Sequence, residues 1–354
     1  MTHKPNSSGR PVIITMGDPA GIGPEIIARA LRERPELCGQ VLVAADIPTL
    51  RRAIEVTRAL DATKDKPPLL EEIVDVAAWA KAPADRLCAV QACVLLEPVP
   101  WGEISGAAGR AAADCIAYAA QLVLSGKARA MVTAPVHKEA LSAAGLTHPG
   151  HTEFLQALSA EHAGVMLDQM PVRMMLSSPC LSTVLVSIHV SLREALEAVT
   201  QARVLETIRI TAAHFLRSGM PQARIAVAAL NPHAGEGGLF GREEIDIISP
   251  AIAQAKELGL NVSGPHAPDT VFMRARQREF DVVVAMYHDQ GLIPVKLLGL
   301  EHGVNTTLGL PLIRTSPDHG TAFDLAGTGR ASAASLLAAI DAAMRMSVGP
   351  GPSP

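Results

Sequence analysis

Three histidines follow predicted strands in this 354-residue chain, and imidazole is a common ligand for divalent metals. Each comes at or just after an apolar segment typical of a buried strand: His189 after 173–188, His233 after 224–230 and His288 after 281–287. A single histidine in such a place is usually a structural residue that caps a helix or makes a hydrogen bond. In open α/β sheets, however, ligands bind at the carboxyl ends of strands. The repeated placement therefore favours a shared metal site with an open position, as in catalytic centres.

The residues after His288 could complete a catalytic group. Asp289 and Gln290 are adjacent to it, and Lys296 follows in the same segment. Asp289 could orient the imidazole of His288 or take a proton from a substrate, and Lys296 is the alternative base. The sequence leaves this choice open.

A possible anion site lies further along the chain, where Lys296, Asn305 and Arg314 are interleaved with apolar stretches. Because Arg314 follows the apolar segment LPLI, we expect its guanidinium to be partly desolvated and to need an anionic partner. A phosphate or carboxylate of a ligand would serve, and an internal salt bridge with Asp318 is the alternative.

Two glycine-rich segments each join a predicted strand to a predicted helix. They are TMGDPAGIGPEI at 15–26 and NPHAGEGGLFG at 231–241. A helix N-terminus favours anions, so each segment is either an anion site or simply a tight turn. The first has neither the dinucleotide-binding glycine spacing nor the lysine of a P-loop.

Short apolar segments alternate with longer amphipathic ones along the chain. Strands are predicted at 11–16, 40–45, 128–133, 224–230 and 281–287, with one or two more within 173–188. Helices are predicted at 24–34, 109–125, 242–258 and 332–346, with one or two more within 191–216, and 61–68 is predicted to be a loop. This alternation predicts an α/β protein with mainly parallel sheets.

The composition argues against several classes of partner. The net charge of −4 gives no basic surface for nucleic acid or for an anionic membrane, so neither partner is expected. The five cysteines form no CxxC pair, which fits reduced thiols in a cytoplasmic protein. The N-terminus is polar rather than signal-like, and no run of 18 apolar residues predicts a membrane span.

Seven segments of the chain together resemble one family, the 4-hydroxythreonine-4-phosphate dehydrogenases of vitamin B6 biosynthesis with their paralogues. They occur in the family's order and cover nearly the whole chain. The segments are TMGDPAGIGPEI (15–26), TAPVHKEAL (133–141), GHTEFL (150–155), NPHAGEGG (231–238), PDTVF (268–272), AMYHDQG (285–291) and GVNTTLGLPLIRTSPDHGTAFDLAGTG (303–329).

The resemblance implies a fold of two α/β/α domains, similar to isocitrate and isopropylmalate dehydrogenases. The active site is then expected in the interdomain cleft at a dimer interface. The expected domains are 11–133 with 296–347, and 134–295, and residues 348–354 are expected to be a disordered tail. In the implied homodimer the active sites are shared, with two histidines from one subunit and the third from its partner.

The resemblance also implies site residues. One divalent ion (Zn, Mg, Co or Mn) would be held by His189, His233 and His288. His151 and Thr152 look like substrate contacts, and Lys296, Asn305 and Arg314 look like the set around the substrate phosphate and carboxylate. Segment 319–327 is similar to a loop that holds the NAD adenosine, which implies NAD or NADP contacts at His319, Gly320, Thr321, Asp324 and Gly327.

The implied reaction is metal-assisted, NAD(P)-dependent oxidation of 4-phosphohydroxy-L-threonine at its C3 hydroxyl, with decarboxylation to 3-amino-2-oxopropyl phosphate. A Lewis-acidic ion would lower the pKa of the hydroxyl, and Asp289 or Lys296 would take the proton. Paralogues that oxidise 4-phospho-threonate or 4-phospho-erythronate are the alternative, because His189 lies in SIHVSL and residues 100–105 read PWGEIS.

Three other readings fit the sequence less well. An aromatic-diacid dihydrodiol dehydrogenase is expected to lack the GHT and LGLPLIRT segments, which this chain keeps. An acyl- or phosphotransferase of related fold would need neither the histidine triad nor the adenosine-type loop. A binding protein without turnover would not be expected to keep all of these motifs.

Overall fold

The computed structural model describes residues 9–60, 69–148, 150–299 and 302–347. The chain divides into two compact units. The first runs to Met170 and resumes over Leu310–Met344, and the second covers Pro171–Gly309 and continues from Arg345. The predicted loop at 61–68 and the predicted tail at 348–354 lie outside the described residues. Among the helices of the described ranges, none is long and apolar enough to cross a membrane.

The strands and α-helices of the described residues are numbered in chain order. The strands are β1 (Val12–Thr15), β2 (Val41–Ala45), β3 (Leu70–Ile73), β4 (Leu87–Gln91), β5 (Ala130–Thr133), β6 (Arg173–Ser178), β7 (Leu181–Leu185), β8 (Ile225–Ala228), β9 (Val262–His266), β10 (Val282–Ala285), β11 (Val304–Leu308) and β12 (Arg314–Pro317). The helices are α1 (Gly23–Glu33), α2 (Ile47–Leu60), α3 (Val76–Trp79), α4 (Gly106–Leu124), α5 (Lys138–Ala143), α6 (His151–Ala163), α7 (Leu192–Ala198), α8 (Gln201–Arg217), α9 (Ser249–Glu257), α10 (Pro268–Arg276), α11 (His288–Lys296) and α12 (Ala334–Met346).

The strands of the first unit are parallel to their neighbours, in the order β3-β4-β2-β1-β5-β12. Every residue of β1, β2 and β5 is buried, as expected for parallel strands whose two faces are both covered by helices. The carboxyl ends of β1, β5 and β12 lie side by side, and the segments that follow them carry most of the predicted cofactor and substrate residues of this unit.

The second unit has a mixed sheet in the order β11-β6-β7-β10-β8-β9. β6 is antiparallel to both β11 and β7, and the other pairs are parallel. Alternate residues of β10 face two different cores: Val282 and Val284 pack in the cluster that includes α8 and α9, and Val283 packs in the cluster that includes α10 and α11. This unit is therefore an α/β/α sandwich.

The predicted α/β class and mainly parallel strands are confirmed. Each predicted strand is present with shorter ends, and segment 173–188 is the hairpin of β6 and β7. Segment 191–216 contains two helices, α7 and α8. Thr200 lies between them and caps α8, because its hydroxyl accepts a hydrogen bond from the Arg203 N–H (3.3 Å). The sequence did not predict α11, since Gly291 and Pro294 both weigh against a helix.

The borders between the two units come later in the chain than predicted. They follow Met170 and Gly309, and the predicted domain borders followed residues 133 and 295. Residues 134–170 belong to the first unit because α5 and α6 pack against α4. A side chain at Gly109 of α4 would overlap the carbonyl of Ala140 in α5, so the two helices are in close contact. Lys296 and Asn305 fall in the second unit, together with the three histidines.

Candidate active site

The strand order of the second unit explains why the three histidines are near one another. β7, β10 and β8 are adjacent and parallel, so the segments after their carboxyl ends emerge at one edge of the sheet. His189, His288 and His233 follow these three strands in that order. Because β10 is the middle strand, the segment that begins with Tyr287 and His288 lies between the other two.

His189 and His288 face each other, with ring centroids 5.9 Å apart. A cavity of about 250 Å³ is lined by both imidazoles together with Asp289 and Tyr287. Nδ1 of His288 lies 2.7 Å from Oδ1 of Asp289. A carboxylate only accepts hydrogen bonds, so Nδ1 is the donor, and in a neutral imidazole with this tautomer Nε2 carries the lone pair that a ligand would use.

His233 lines a second cavity, of about 490 Å³, which shares Tyr287 and Asp289 with the first. Asp269, at the start of α10, also lines it. The sequence analysis gave Asp269 no role, although it lies in the family-like segment PDTVF. It comes shortly after the carboxyl end of β9, so the strand-end criterion would have found it if β9 had been predicted.

These side chains fit a divalent metal in their chemistry. Within the described ranges, no three His, Cys, Asp or Glu side chains gather closely enough to hold an ion. His189 and His288 are close enough to share one, since two imidazoles on the same ion each place a nitrogen ~2.0–2.1 Å from it. The Asp289 contact to Nδ1 of His288 is also the usual support for a metal-binding histidine.

Two of the three histidines have a strained backbone. φ is 52° at His189 and 53° at His233, a left-handed conformation that few non-glycine residues adopt, although histidine adopts it more often than most. At His233 the conformation continues through Gly237, so that five consecutive residues form a left-handed helical turn. The cost is roughly 1–2 kcal/mol for each non-glycine residue. Strain of this kind concentrates at functional sites.

In the first unit, the buried Arg314 acts electrostatically on the half-buried His151. Arg314 is 4% exposed and donates Nε and Nη2 to the hydroxyl of Thr133, at 3.0 and 2.7 Å. Burial lowers the pKa of Arg314 to about 10, although the charge of Glu153 opposes the shift. Burial and then the charge of Arg314 hold the pKa of His151 well below 6.5, so this imidazole is neutral.

The surroundings of Arg314 suit an anionic ligand. Nε2 of His151 is shielded from solvent and has no hydrogen-bond partner among the described residues. His151 and Thr152 are the first two residues of α6, where free N–H groups favour negative charge. The charge of the Glu153 carboxylate acts on Arg314, and the internal salt bridge with Asp318 considered from the sequence stays an alternative.

Lys296 and Asn305 lie in the second unit, unlike Arg314. Asn305 is half-buried in β11, and Lys296 is exposed at the last turn of α11. His288 begins the same helix, so the two residues are separated by about 12 Å along its axis. Of the two candidate bases, Asp289 is therefore the one beside His288 within a chain.

The predicted cofactor loop is held firmly against the first glycine-rich turn. The Ile22 N–H donates to the carbonyl of Thr321 (3.0 Å), and the buried carboxylate of Glu25 accepts the N–H groups of Gly327 and Gly329. His319, Gly320 and Asp324 stay exposed. A fixed loop with exposed backbone and one carboxylate fits the adenosine of a dinucleotide.

The first glycine-rich segment is a tight turn filled by the protein's own groups. Oδ1 of Asp18 accepts the Ala20 N–H (2.9 Å), and the Asp18 N–H donates to the carbonyl of Pro135 (2.9 Å). A side chain at Gly23 would overlap the carbonyl of Met16. These contacts favour the structural interpretation of this segment over an anion site. Its role is to support the loop around residue 321.

Comparison with known proteins identifies the family of this chain. The family model described as "Pyridoxal phosphate biosynthetic protein PdxA" matches residues 36–343. A 4-hydroxythreonine-4-phosphate dehydrogenase of Beijerinckia indica is 48% identical over 96% of this chain and 95% of its own length. A D-threonate 4-phosphate dehydrogenase of Salmonella typhimurium is 44% identical over 95% of this chain and 98% of its own length.

The crystal structure of a 4-hydroxythreonine-4-phosphate dehydrogenase from Klebsiella pneumoniae is similar over 97% of this chain and 99% of that one, with a TM-score of 0.84 and 44% identity. The agreement of sequence and fold extends over both units and includes the segments that carry the histidines, Arg314 and the loop around Asp324. The chain therefore belongs to the PdxA family of pyridoxal phosphate biosynthetic proteins.

Proposed function

We propose that this protein is an NAD(P)-dependent dehydrogenase that oxidises 4-phosphohydroxy-L-threonine at its C3 hydroxyl, with loss of CO₂ to give 3-amino-2-oxopropyl phosphate. The observation that carries the proposal is the pairing of His189 and His288 beside Asp289 at neighbouring strand ends. The names of the relatives support a phosphorylated hydroxy-acid substrate. A divalent ion held by His189, His233 and His288 would supply Lewis acidity at the substrate hydroxyl.

The protein's own groups have separable tasks in this proposal. Asp289 lines both cavities and has a largely exposed carboxylate. We therefore assign it the role of the general base that accepts the proton of the substrate hydroxyl. Arg314 binds the substrate phosphate, with His151 and Thr152 beside it. For Lys296 and Asn305, a part in substrate binding remains a prediction from the family resemblance.

The cavity around His233 favours a substrate that carries an amine. Asp269 and Asp289 both line it, and among the described residues neither Lys nor Arg does so. Two carboxylates suit the ammonium group of 4-phosphohydroxy-L-threonine better than the hydroxyl at the same position of D-threonate 4-phosphate. The second substrate remains the alternative, because a relative with that name is 44% identical.

A substrate panel tests the proposed function. NAD and NADP reduction would be followed at 340 nm with 4-phosphohydroxy-L-threonine, D-threonate 4-phosphate, 4-phosphoerythronate and the dephosphorylated form of each. We expect the highest kcat/KM with 4-phosphohydroxy-L-threonine and little turnover without the phosphate. A higher kcat/KM with D-threonate 4-phosphate would select the alternative. Reduction with none of the three phosphorylated compounds would refute the proposal.

We also propose a homodimer that completes the metal site. Large apolar side chains are exposed directly beside two of the histidines: Val190 (50% exposed) and Leu192 (61%) follow His189, and Leu239 (73%) and Phe240 (46%) follow His233. Clustered exposure of this kind marks a protein interface. A second copy of the chain is the partner that would also supply the missing histidine.

Mixed dimers of inactive variants are expected to regain activity. If one histidine comes from the partner, two of the three pairwise mixtures of His189→Ala, His233→Ala and His288→Ala should recover turnover after subunit exchange. In these mixtures one of the two hybrid sites has all three ligands. The mixture that stays inactive identifies the two histidines supplied by one chain. No recovery in any mixture, with exchange shown by mass spectrometry, would place each site within one chain.

The cofactor loop gives a further prediction. Asp324→Ala should raise the Kd for NAD roughly tenfold, because a hydrogen bond to a charged group contributes about 1.5–3 kcal/mol. The Kd for NADP should not rise and should fall, since a 2′-phosphate offers the carboxylate no donor and is repelled by it. Fluorescence titration with both dinucleotides measures the two constants. An equal rise in both Kd values would show that Asp324 does not contact the ribose 2′ position.

A further inference from the structure

The left-handed turn that carries His233 is unusually long. The φ values from His233 to Gly237 are 53°, 56°, 76°, 43° and 69°, and His233, Ala234 and Glu236 are not glycines. L-residues normally enter this region singly. A turn with three such residues needs contacts from outside it to persist, and these contacts then decide where the imidazole of His233 points.

Glu244 supplies contacts on the N-terminal side of His233. It is 3% exposed, and its Oε1 accepts the backbone N–H groups of Leu230 and Asn231, both at 2.8 Å. Its Oε2 accepts a third hydrogen bond from Nδ2 of Asn231 at 3.0 Å. These are the N–H groups released where β8 ends, so the carboxylate fixes the chain two residues before His233.

The same carboxylate lies against the chain on the C-terminal side of His233. A Cβ at Gly235 would be 2.6 Å from Oε2 of Glu244, so only a glycine lets the backbone of the turn approach this closely. Glu244 itself begins a single π-helical turn, Glu244–Ile248, ahead of α9. π turns are rare in proteins overall, but those that do occur often lie at functional sites. One buried carboxylate thus contacts the chain on both sides of His233.

We propose that Glu244 is a positioning residue that holds His233 in its left-handed conformation and thereby directs the imidazole to the metal. The inference rests on the proposed role of His233 as a metal ligand. Glu244 touches neither substrate nor cofactor in this account, and its effect passes through the geometry of residues 230–235. The proposal also explains why the segment NPHAGEGG has a glycine at position 235.

The test is the affinity of the protein for Co²⁺, followed through the visible absorption of the bound ion. Glu244→Gln keeps the size of the side chain and an acceptor for the two backbone N–H groups. Its amide NH₂ faces the donor Nδ2 of Asn231, so the turn should shift. We expect the Kd for Co²⁺ to rise roughly tenfold to a hundredfold, as for other residues that support a metal ligand. Gly235→Ala disturbs the same contact from the other side and should have a similar effect.

Glu243→Gln is the matched control. Glu243 is the neighbouring carboxylate and contacts the side chain of Asn231 (2.6 Å) rather than the backbone N–H groups of Leu230 and Asn231. The Kd for Co²⁺ of Glu243→Gln should stay within about threefold of that of the unaltered protein, since a glutamine at this position can turn its carbonyl oxygen to Nδ2 of Asn231 and keep the hydrogen bond. Thermal melts show whether each variant is folded, and if Glu244→Gln is not, Gly235→Ala carries the test.

A double-mutant cycle separates positioning from general stability. In a His233→Ala background, Glu244→Gln should cause no further loss of Co²⁺ affinity, because its effect passes through the missing imidazole. An additional loss as large as in the unaltered protein would overturn the inference, as would wild-type affinity in a folded Glu244→Gln or Gly235→Ala protein. If His233→Ala itself leaves Co²⁺ affinity unchanged, the proposed metal role of His233 fails first.

Discussion

Replacing His189, His233 or His288 by alanine is expected to lower kcat by more than a hundredfold and to remove the bound metal. Loss of a residue that merely supports a ligand typically costs 10–100-fold, so loss of a ligand itself should cost more. The fold should persist, because the three imidazoles lie beyond the strand ends and outside the two cores of the second unit. The measurements are kcat with 4-phosphohydroxy-L-threonine and metal content after dialysis.

His162→Ala is the control for this series. His162 is an exposed histidine in the last turn of α6, and we assign it no role. Its kcat and metal content should equal those of the unaltered protein. The triad would be wrong if any one of the three other variants kept both near-normal turnover and near-normal metal content.

Arg314→Lys is expected to lower kcat/KM by roughly tenfold or more, at about 1.4 kcal/mol per decade. Lysine keeps the charge but cannot reproduce the planar, two-pronged guanidinium. Arg314 donates hydrogen bonds from Nε and Nη2 to the hydroxyl of Thr133. A lysine has a single ammonium nitrogen, which would have to donate to both this hydroxyl and the phosphate. Steady-state kinetics with 4-phosphohydroxy-L-threonine measures the loss.

The Arg314 prediction has two internal controls. A dephosphorylated substrate should already be poor and should lose little more in the variant. The Kd for NAD should barely change, because the dinucleotide is assigned to the loop around Asp324. If Arg314→Lys weakened NAD binding and affected both substrates equally, Arg314 would belong to the cofactor site or to the scaffold.

The positions of the histidines could be predicted from the sequence because strand ends are a local property. Val282, Val283 and Val284 are apolar and fully buried, and the chain turns polar directly after them. In a parallel sheet this change in polarity marks the edge where ligands bind. His189 and His233 follow from the same reasoning, and the pairing of β7, β10 and β8 then brings their segments together.

The supporting carboxylates could not be predicted in this way. Glu25 binds backbone N–H groups about three hundred residues away, at Gly327 and Gly329, and Glu244 binds the end of a strand that comes before it in the chain. Both look like ordinary first-turn helix glutamates in the sequence. The border at Met170 has a similar cause, because it depends on the packing of α5 and α6 against α4, which no local composition change marks.

The most direct measurement of the central claim is NAD(P) reduction with 4-phosphohydroxy-L-threonine before and after metal removal. Absorbance at 340 nm would be followed with the protein as purified, after chelation and dialysis, and after return of Zn²⁺, Co²⁺, Mn²⁺ or Mg²⁺. We predict turnover that disappears in the metal-free protein and returns with at least one ion, but does not return in His233→Ala. A rate unchanged by complete metal removal would contradict the account.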